Sequence, residues 1–306
     1  MTSTRKIARS SARRWWGLGL GACAALAPLA APAAVTDVFY ERTVMTAAHA
    51  RCGLFTPAIA SALEAGRVQA RGAALRSGVE ASALALLEGR AKAKAGVTPC
   101  NSPDLTTAAD RARSAFEAYS RRQRETYDGD VGDWTAQRTL GARTATWGLS
   151  QPVSFGPDKL IFGMAIQDGA AIMLAVTSFE DGAQPYTARL VMRDERRTAR
   201  PFLDRRRADA RGRLPLAARI APVGYTKSFT IDAKGPADPA LAPAGEKQAT
   251  AFRFPQAAAV AMANLDPREA VQVDFVFQGR HGDLVRTAYV EVGDFAAGRA
   301  FAFAQR

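Results

Sequence analysis

The sequence predicts an α+β protein: an N-terminal antiparallel helical bundle followed by an antiparallel β-sandwich or open barrel with one or two short helices. Two observations lead there. Apolar residues recur at helical spacing between residues 35 and 128, and after residue 133 the pattern changes to short strands separated by tight turns. The expected domains are a signal peptide at 1–33, a helical region at 35–128 and a β-rich domain at 140–306.

The first element is an export signal. Arg5, Lys6, Arg9, Arg13 and Arg14 precede an almost wholly apolar stretch at 15–30, and Ala31-Pro32-Ala33 supplies the small residues of a cleavage site. The apolar stretch is shorter than the roughly 20 residues of a membrane span. A retained anchor helix is the alternative. Arg13-Arg14 is compatible with twin-arginine export as well as the general route. Leu20-Gly21-Ala22-Cys23 resembles a lipoprotein processing site, which would leave the chain lipid-anchored through Cys23. The expected location is therefore periplasmic or secreted.

Four helices follow. The first covers 35–51 and stops near Gly53. Thr56-Pro57 caps and opens the second, with Ile59, Leu63, Gly66 and Ala70 on one face. Ser77 and Glu80 have the spacing of a capping box for a third, which carries Leu84, Leu87 and Ala91 and ends at Gly96. Ser102-Pro103-Asp104 opens the fourth, whose stripe is Leu105, Ala109, Ala112, Phe116 and Tyr119, closing at Asp128-Gly129. Short links favour antiparallel neighbours.

Strands are expected at 143–149, 159–167, 171–179, 186–192, 214–220, 227–233, 251–254, 271–277 and 284–292, with short helices at 256–264 and 294–303. Asp168-Gly169 is a hairpin turn signal, and 235–245 reads as a Pro- and Ala-rich loop. Phe252 with Phe254, and Phe275 with Phe277, share a sheet face. They read as core residues, or as the lining of a pocket if the sandwich is open.

Charge singles out one segment. The chain carries +12, falling to +7 once the five signal charges are removed. Arg193, Arg196, Arg197, Arg200, Arg205, Arg206, Arg207, Arg211 and Arg213 stand against Asp194, Glu195, Asp204 and Asp209, a local excess of five. Guanidinium groups suit forked pairing with carboxylate or phosphate. For an exported protein the expected partner is an anionic envelope surface or an acidic protein rather than nucleic acid. An ordinary solvated loop is the plainer alternative.

Cys52 and Cys100 are the cysteines remaining after cleavage, and they predict a disulfide. His49 and His281 are the two histidines, the first on a helix and the second in a Gly-rich turn next to Asp283. Residues 128–133 resemble the start of a calcium loop, but Gly132 and Thr139 occupy ligand positions, so no metal is expected. There is no Gly-x-Ser-x-Gly, His-Glu-x-x-His, phosphate-binding glycine loop, or Ser-x-x-Lys after the signal, and no cofactor signature. The leading expectation is a non-enzymatic envelope protein that binds through residues 193–213. The alternatives are an exported hydrolase with dispersed carboxylates and a carrier of an apolar ligand in the β-domain.

Overall fold

The computed structural model describes residues 32–138, 144–246 and 248–303; Cys23 and all but the last two residues of the expected signal at 1–33 lie outside them. The chain opens with α1 (Pro32–Cys52), α2 (Pro57–Arg76), α3 (Ala81–Val97) and α4 (Pro103–Ser120). Proline at the first turn and a hydroxyl at the cap start two of them. Thr56 accepts the Ile59 N–H at 3.4 Å, and Ser102 accepts that of Leu105 at 3.3 Å. The capping box expected at Ser77 and Glu80 does not form. Gly78, at φ +93°, turns the chain before α3 begins, so Ser77 belongs to the end of α2 and donates to the Ala74 carbonyl at 2.8 Å.

The helical region is organised around α2, which packs against both α1 and α4. Its buried positions are mostly small: Ala62, Ala65, Gly66, Ala70, Gly72 and Ala74. At Gly66 a methyl group would meet the Phe116 ring and the Arg42 guanidinium, which donates to the Gly66 carbonyl at 2.5 Å. Cys52 at the end of α1 and Cys100 just before α4 are joined by a disulfide. Close by, the Arg51 guanidinium donates to the Thr98 carbonyl.

The expected fourth helix ends early. α4 stops at Ser120, and the next residues form β1 (Arg124–Tyr127) and β2 (Trp134–Gln137), an antiparallel hairpin. Tyr127 and Trp134 are fully covered there, and the Tyr119 and Tyr127 hydroxyls meet at 2.7 Å. Burial of these two rings outweighs continuation of a polar helix. β3 (Thr146–Phe155), β4 (Asp158–Gln167) and β5 (Ala170–Ser178) extend the sheet. β8 (Ala233–Pro236) and β9 (Thr250–Phe254) complete it in the order β1-β2-β3-β4-β5-β9-β8. A second sheet of β6 (Thr187–Arg193), β7 (Thr226–Thr230), β10 (Ala270–Gly279) and β11 (Gly282–Glu291) has the order β11-β10-β6-β7. Both sheets are open and antiparallel.

Two strand expectations change. Residues 227–233 are not one strand: the chain leaves β7 in one sheet and enters β8 in the other. Residues 214–220 contain only a single 3-10 turn, Leu216–Ala218. Pro215 brings no N–H to a ladder, and the Arg219 side chain turns inward to 4 % exposure. The expected strand start near residue 143 lies partly outside the described residues, and β3 begins at Thr146.

The sheets close on a core of aromatic rings. Phe275 of β10 packs against Phe252 of β9 at 5.4 Å and Phe155 of β3 at 5.8 Å, and Phe179 touches both Phe275 and Phe277. Phe252, Phe254, Phe275 and Phe277 are all buried among such contacts, so they fill the interior rather than line an open pocket. α5 (Gln256–Ala263) and α6 (Phe295–Ala302) cap it. α6 lays Phe295 against Trp134 at 5.1 Å and Phe301 against Tyr119 at 5.5 Å, and it also packs along α2 and on β3. The helical and β regions thus share an interface. Among the described residues no helix is long and apolar enough to cross a membrane.

Two outcomes follow from these contacts. Cys52→Ser is expected to lower the melting temperature under oxidising conditions, by the equivalent of about 2–4 kcal/mol, and to abolish sensitivity to reductant. A melting curve unchanged in both conditions would contradict this. The second concerns Asp181, whose carboxyl is held at about 2 by hydrogen bonds from Arg286 and from the Ala183 N–H. A pKa depressed by folding gives stability that is complete above the ordinary value of 3.8 and is lost as pH falls through about 2. Asp181→Asn should therefore flatten the stability loss across that window in acid titration followed by circular dichroism.

Candidate functional site

The arginine-rich segment leaves β6 and returns to β7 as a series of small turns held by its own acidic residues. Asp194 accepts the Arg196 N–H at 3.1 Å, Asp204 that of Arg206 at 3.2 Å, and Asp209 those of Arg211 and Arg213 at 2.9 and 2.8 Å. These are side-chain turns of the kind aspartate favours. The acidic residues counted against the arginines therefore shape the loop as well as offsetting its charge. The Arg213 N–H foremost, with the Arg211 N–H and the Arg213 guanidinium, holds the Asp209 carboxyl below its ordinary value.

The nine arginines divide by environment. Arg193 is buried at the root of the segment, paired through Nε and Nη2 with Glu269 at 2.6 and 2.8 Å. Burial works against its charge, but the bonds and charge of Glu269 more than offset it and raise its pKa. Arg197 donates to the Gly224 carbonyl and Arg207 to that of Ala217, at 2.9 and 3.2 Å. Arg213 reaches Asp209 at 3.1 Å. Among the described residues the side chains of Arg196, Arg200, Arg205, Arg206 and Arg211 make no hydrogen bond or ion pair, and all five are exposed.

Two of the nine, Arg205 and Arg213, line a cavity of about 580 Å³ together with Arg76, Arg219 and Arg268. The rest of its wall is Leu203, Ala208, Gly212, Leu214 and one carboxylate, Asp130. Arg76 comes from the last turn of α2, where both its terminal nitrogens bond Asp294 at 2.8 and 3.0 Å. Burial opposes the Arg76 charge, and the bonds and charge of Asp294 raise its pKa nonetheless. Arg268 is held by Asp266 at 2.8 and 2.7 Å, and those hydrogen bonds raise its pKa. Sequence reading singled out Arg205 and Arg213 from local density but missed Arg76, Arg219, Arg268 and Asp130. Arg219 carried one usable signal, a lone cation in the otherwise apolar run 214–222.

Arg219 is oriented by the most heavily bonded group nearby, the Glu291 carboxylate at the end of β11. It is 1 % exposed and accepts the backbone N–H groups of Asp130, Val131 and Gly132 at 2.9, 2.8 and 3.1 Å. Arg219 Nη1 lies 3.5 Å from Glu291 and donates to Asp130 at 2.9 Å. The stretch that resembles a calcium loop is thus the β1–β2 connection, wrapped around an internal carboxylate as a backbone anion nest. At Gly129 a methyl group would strike the Gly132 carbonyl and the Glu291 carboxylate.

The remaining candidates have structural duties. His49 accepts the Phe55 N–H at 3.1 Å and packs on its ring. His281 occupies the turn between β10 and β11, and Asp283 receives the Tyr186 hydroxyl at 2.7 Å. Glu64, Glu88 and Glu195 line a larger cleft of about 840 Å³ beside α2 and α6. Glu64 is bonded by Arg67 at 2.8 and 2.7 Å, and a hydrogen bond from Lys92 holds Glu88 below its ordinary value. A general acid needs the opposite shift. The chain matches no known protein family, no curated protein and no solved structure.

Glu291→Ala would leave three backbone N–H groups without their acceptor and remove the buried counter-charge of Arg219, which keeps its bonds to Asp130 and the Leu214 carbonyl. A loss of about 3–5 kcal/mol is expected in urea unfolding. Asp130→Asn alters a half-exposed side chain and should cost no more than about 1 kcal/mol. Equal losses for the two variants would refute the central role of Glu291.

Proposed function

We propose that this chain is an exported cell-envelope protein that acts without catalysis, binding an anionic surface or partner through the arginine-rich segment. One observation carries the reading: five guanidinium groups, brought together from distant parts of the chain, line one cavity, with a single carboxylate among the described residues of its wall. Two belong to the segment, whose other unpaired arginines are exposed and add to its positive charge. The carboxylates of Asp294, Asp266 and Glu291 hold the other guanidinium groups in place, so little side-chain freedom is left to lose on binding. Export rests on the charges, apolar stretch and small residues of 1–33.

Stepwise salt washing of the envelope fraction tests this. Screening shortens from about 10 Å at 0.1 M to about 3 Å at 1 M salt, so electrostatic attachment should release within that range. Arg205→Gln combined with Arg206→Gln changes two unpaired side chains and should bring release at lower salt. A freely soluble periplasmic protein would remove the surface-binding reading, and release by detergent alone would point to Cys23 acylation or a retained signal. Among the described residues neither histidine nor lysine lines the cavity, so affinity for sulfate should stay level from about pH 6 to 9, where guanidinium groups remain charged.

A further inference from the structure

The polar wall of the arginine cavity consists almost entirely of hydrogen-bond donors. Among the described residues no serine, threonine, tyrosine, asparagine, glutamine, histidine or lysine takes part, and Asp130 is the one acceptor side chain. A sugar hydroxyl, an amide or an ammonium group entering the cavity would bring donors of its own, with little but Asp130 to receive them. A phosphoryl group brings acceptors alone.

The way the guanidinium groups are already engaged narrows the ligand further. Arg76 presents its Nη1–Nη2 edge to Asp294, and Arg268 its Nε–Nη2 edge to Asp266. Each has five N–H groups, so each keeps three outside its carboxylate partner. Arg219 uses Nε on the Leu214 carbonyl and Nη1 on Asp130 and Glu291, which leaves Nη2. Arg205 is wholly unengaged. Arg76 keeps its Nε–Nη2 edge, Arg268 its Nη1–Nη2 edge and Arg205 both, so forked donors remain on three separate side chains for the oxygens of one polyanionic ligand. The remaining N–H groups come from several guanidinium planes, which suits the tetrahedral oxygens of phosphate. The volume of about 580 Å³ falls within the roughly 300–1,000 Å³ of sites for drug-sized ligands, room for more than one phosphoryl group.

Resting on the anion-binding reading above, we propose that the cavity takes a compact ligand with at least two phosphoryl groups. It is either a soluble oligophosphate or the phosphorylated headgroup of an envelope lipid, held by Arg76, Arg205, Arg213, Arg219 and Arg268. Asp130 opposes the ligand's charge and tempers its affinity.

Titration calorimetry of the exported protein with pyrophosphate, tripolyphosphate and citrate at equal ionic strength tests the class. The two phosphates should bind at least about tenfold more tightly than citrate, and Arg205→Gln should weaken them about tenfold. Asp130→Asn should tighten them severalfold, a gain that partial unfolding would not produce. Cosedimentation with phosphatidylcholine vesicles carrying cardiolipin, or phosphatidylglycerol at matched charge, separates the sources. Preference for cardiolipin vesicles, competed by tripolyphosphate, supports a headgroup; binding of soluble phosphates alone supports an oligophosphate. Citrate binding as tightly as tripolyphosphate would overturn the phosphoryl assignment and leave the anion-binding reading standing. No binding of any anion or vesicle would overturn both. Tight phosphate binding unaffected by either substitution would place the ligand elsewhere and overturn the assignment to this cavity.

Discussion

A buried carboxylate sets the terms for this region of the molecule. Glu291 is nearly inaccessible to water, and a charge so placed is tolerated only if its lone pairs are met. Three consecutive backbone N–H groups and Arg219 meet them. That requirement draws the β1–β2 connection over the end of β11 and fixes Asp130 beside Arg219. Gln151 of β3 adds to it, accepting the Glu291 N–H at 3.0 Å and donating to the Gly132 carbonyl at 3.0 Å. The Trp134 indole N–H reaches the Glu291 carbonyl at 3.1 Å. One residue, through its side chain and its backbone, thereby ties the edge of the second sheet to two strands of the first.

The same logic recurs around the cavity. Arg76 is pinned by Asp294 where α2 meets α6, Arg268 by Asp266, and Arg193 by Glu269 at the root of the arginine segment. These pairs set several guanidinium groups at fixed positions around one space. Small residues make the arrangement possible. Gly72 on α2 has the Asp294 carboxylate 2.9 Å from where its Cβ would lie, so a larger residue would press on the Arg76–Asp294 pair.

The regular elements were largely legible in the chain. Thr56-Pro57 and Ser102-Pro103 mark helix starts because capping is a local interaction, satisfied within three residues. Asp168-Gly169 marks the β4–β5 hairpin because both residues adopt positive φ there. Reading failed where a distant contact decided. Residues 124–127 became a strand because Tyr127 is buried against Tyr119 under α6, and 214–220 did not because Arg219 turns toward Glu291. The site was half legible. Local density exposed Arg205 and Arg213, whereas Arg76, Arg219 and Arg268 are ordinary arginines until the chain brings them together.

The sequence by itself determined the helix-then-strand order, the disulfide partners and the unusual charge of residues 193–213, since periodicity, cysteine count and charge are properties of short or countable stretches. Only the tertiary structure decided which arginines face a common space and which are neutralised from behind. Arg193, inside the densest run of charge, is sealed against Glu269, while Arg76, more than 100 residues away, joins the cavity. Electrostatic interactions depend on separation in space and on burial, and neither quantity is carried by separation along the chain.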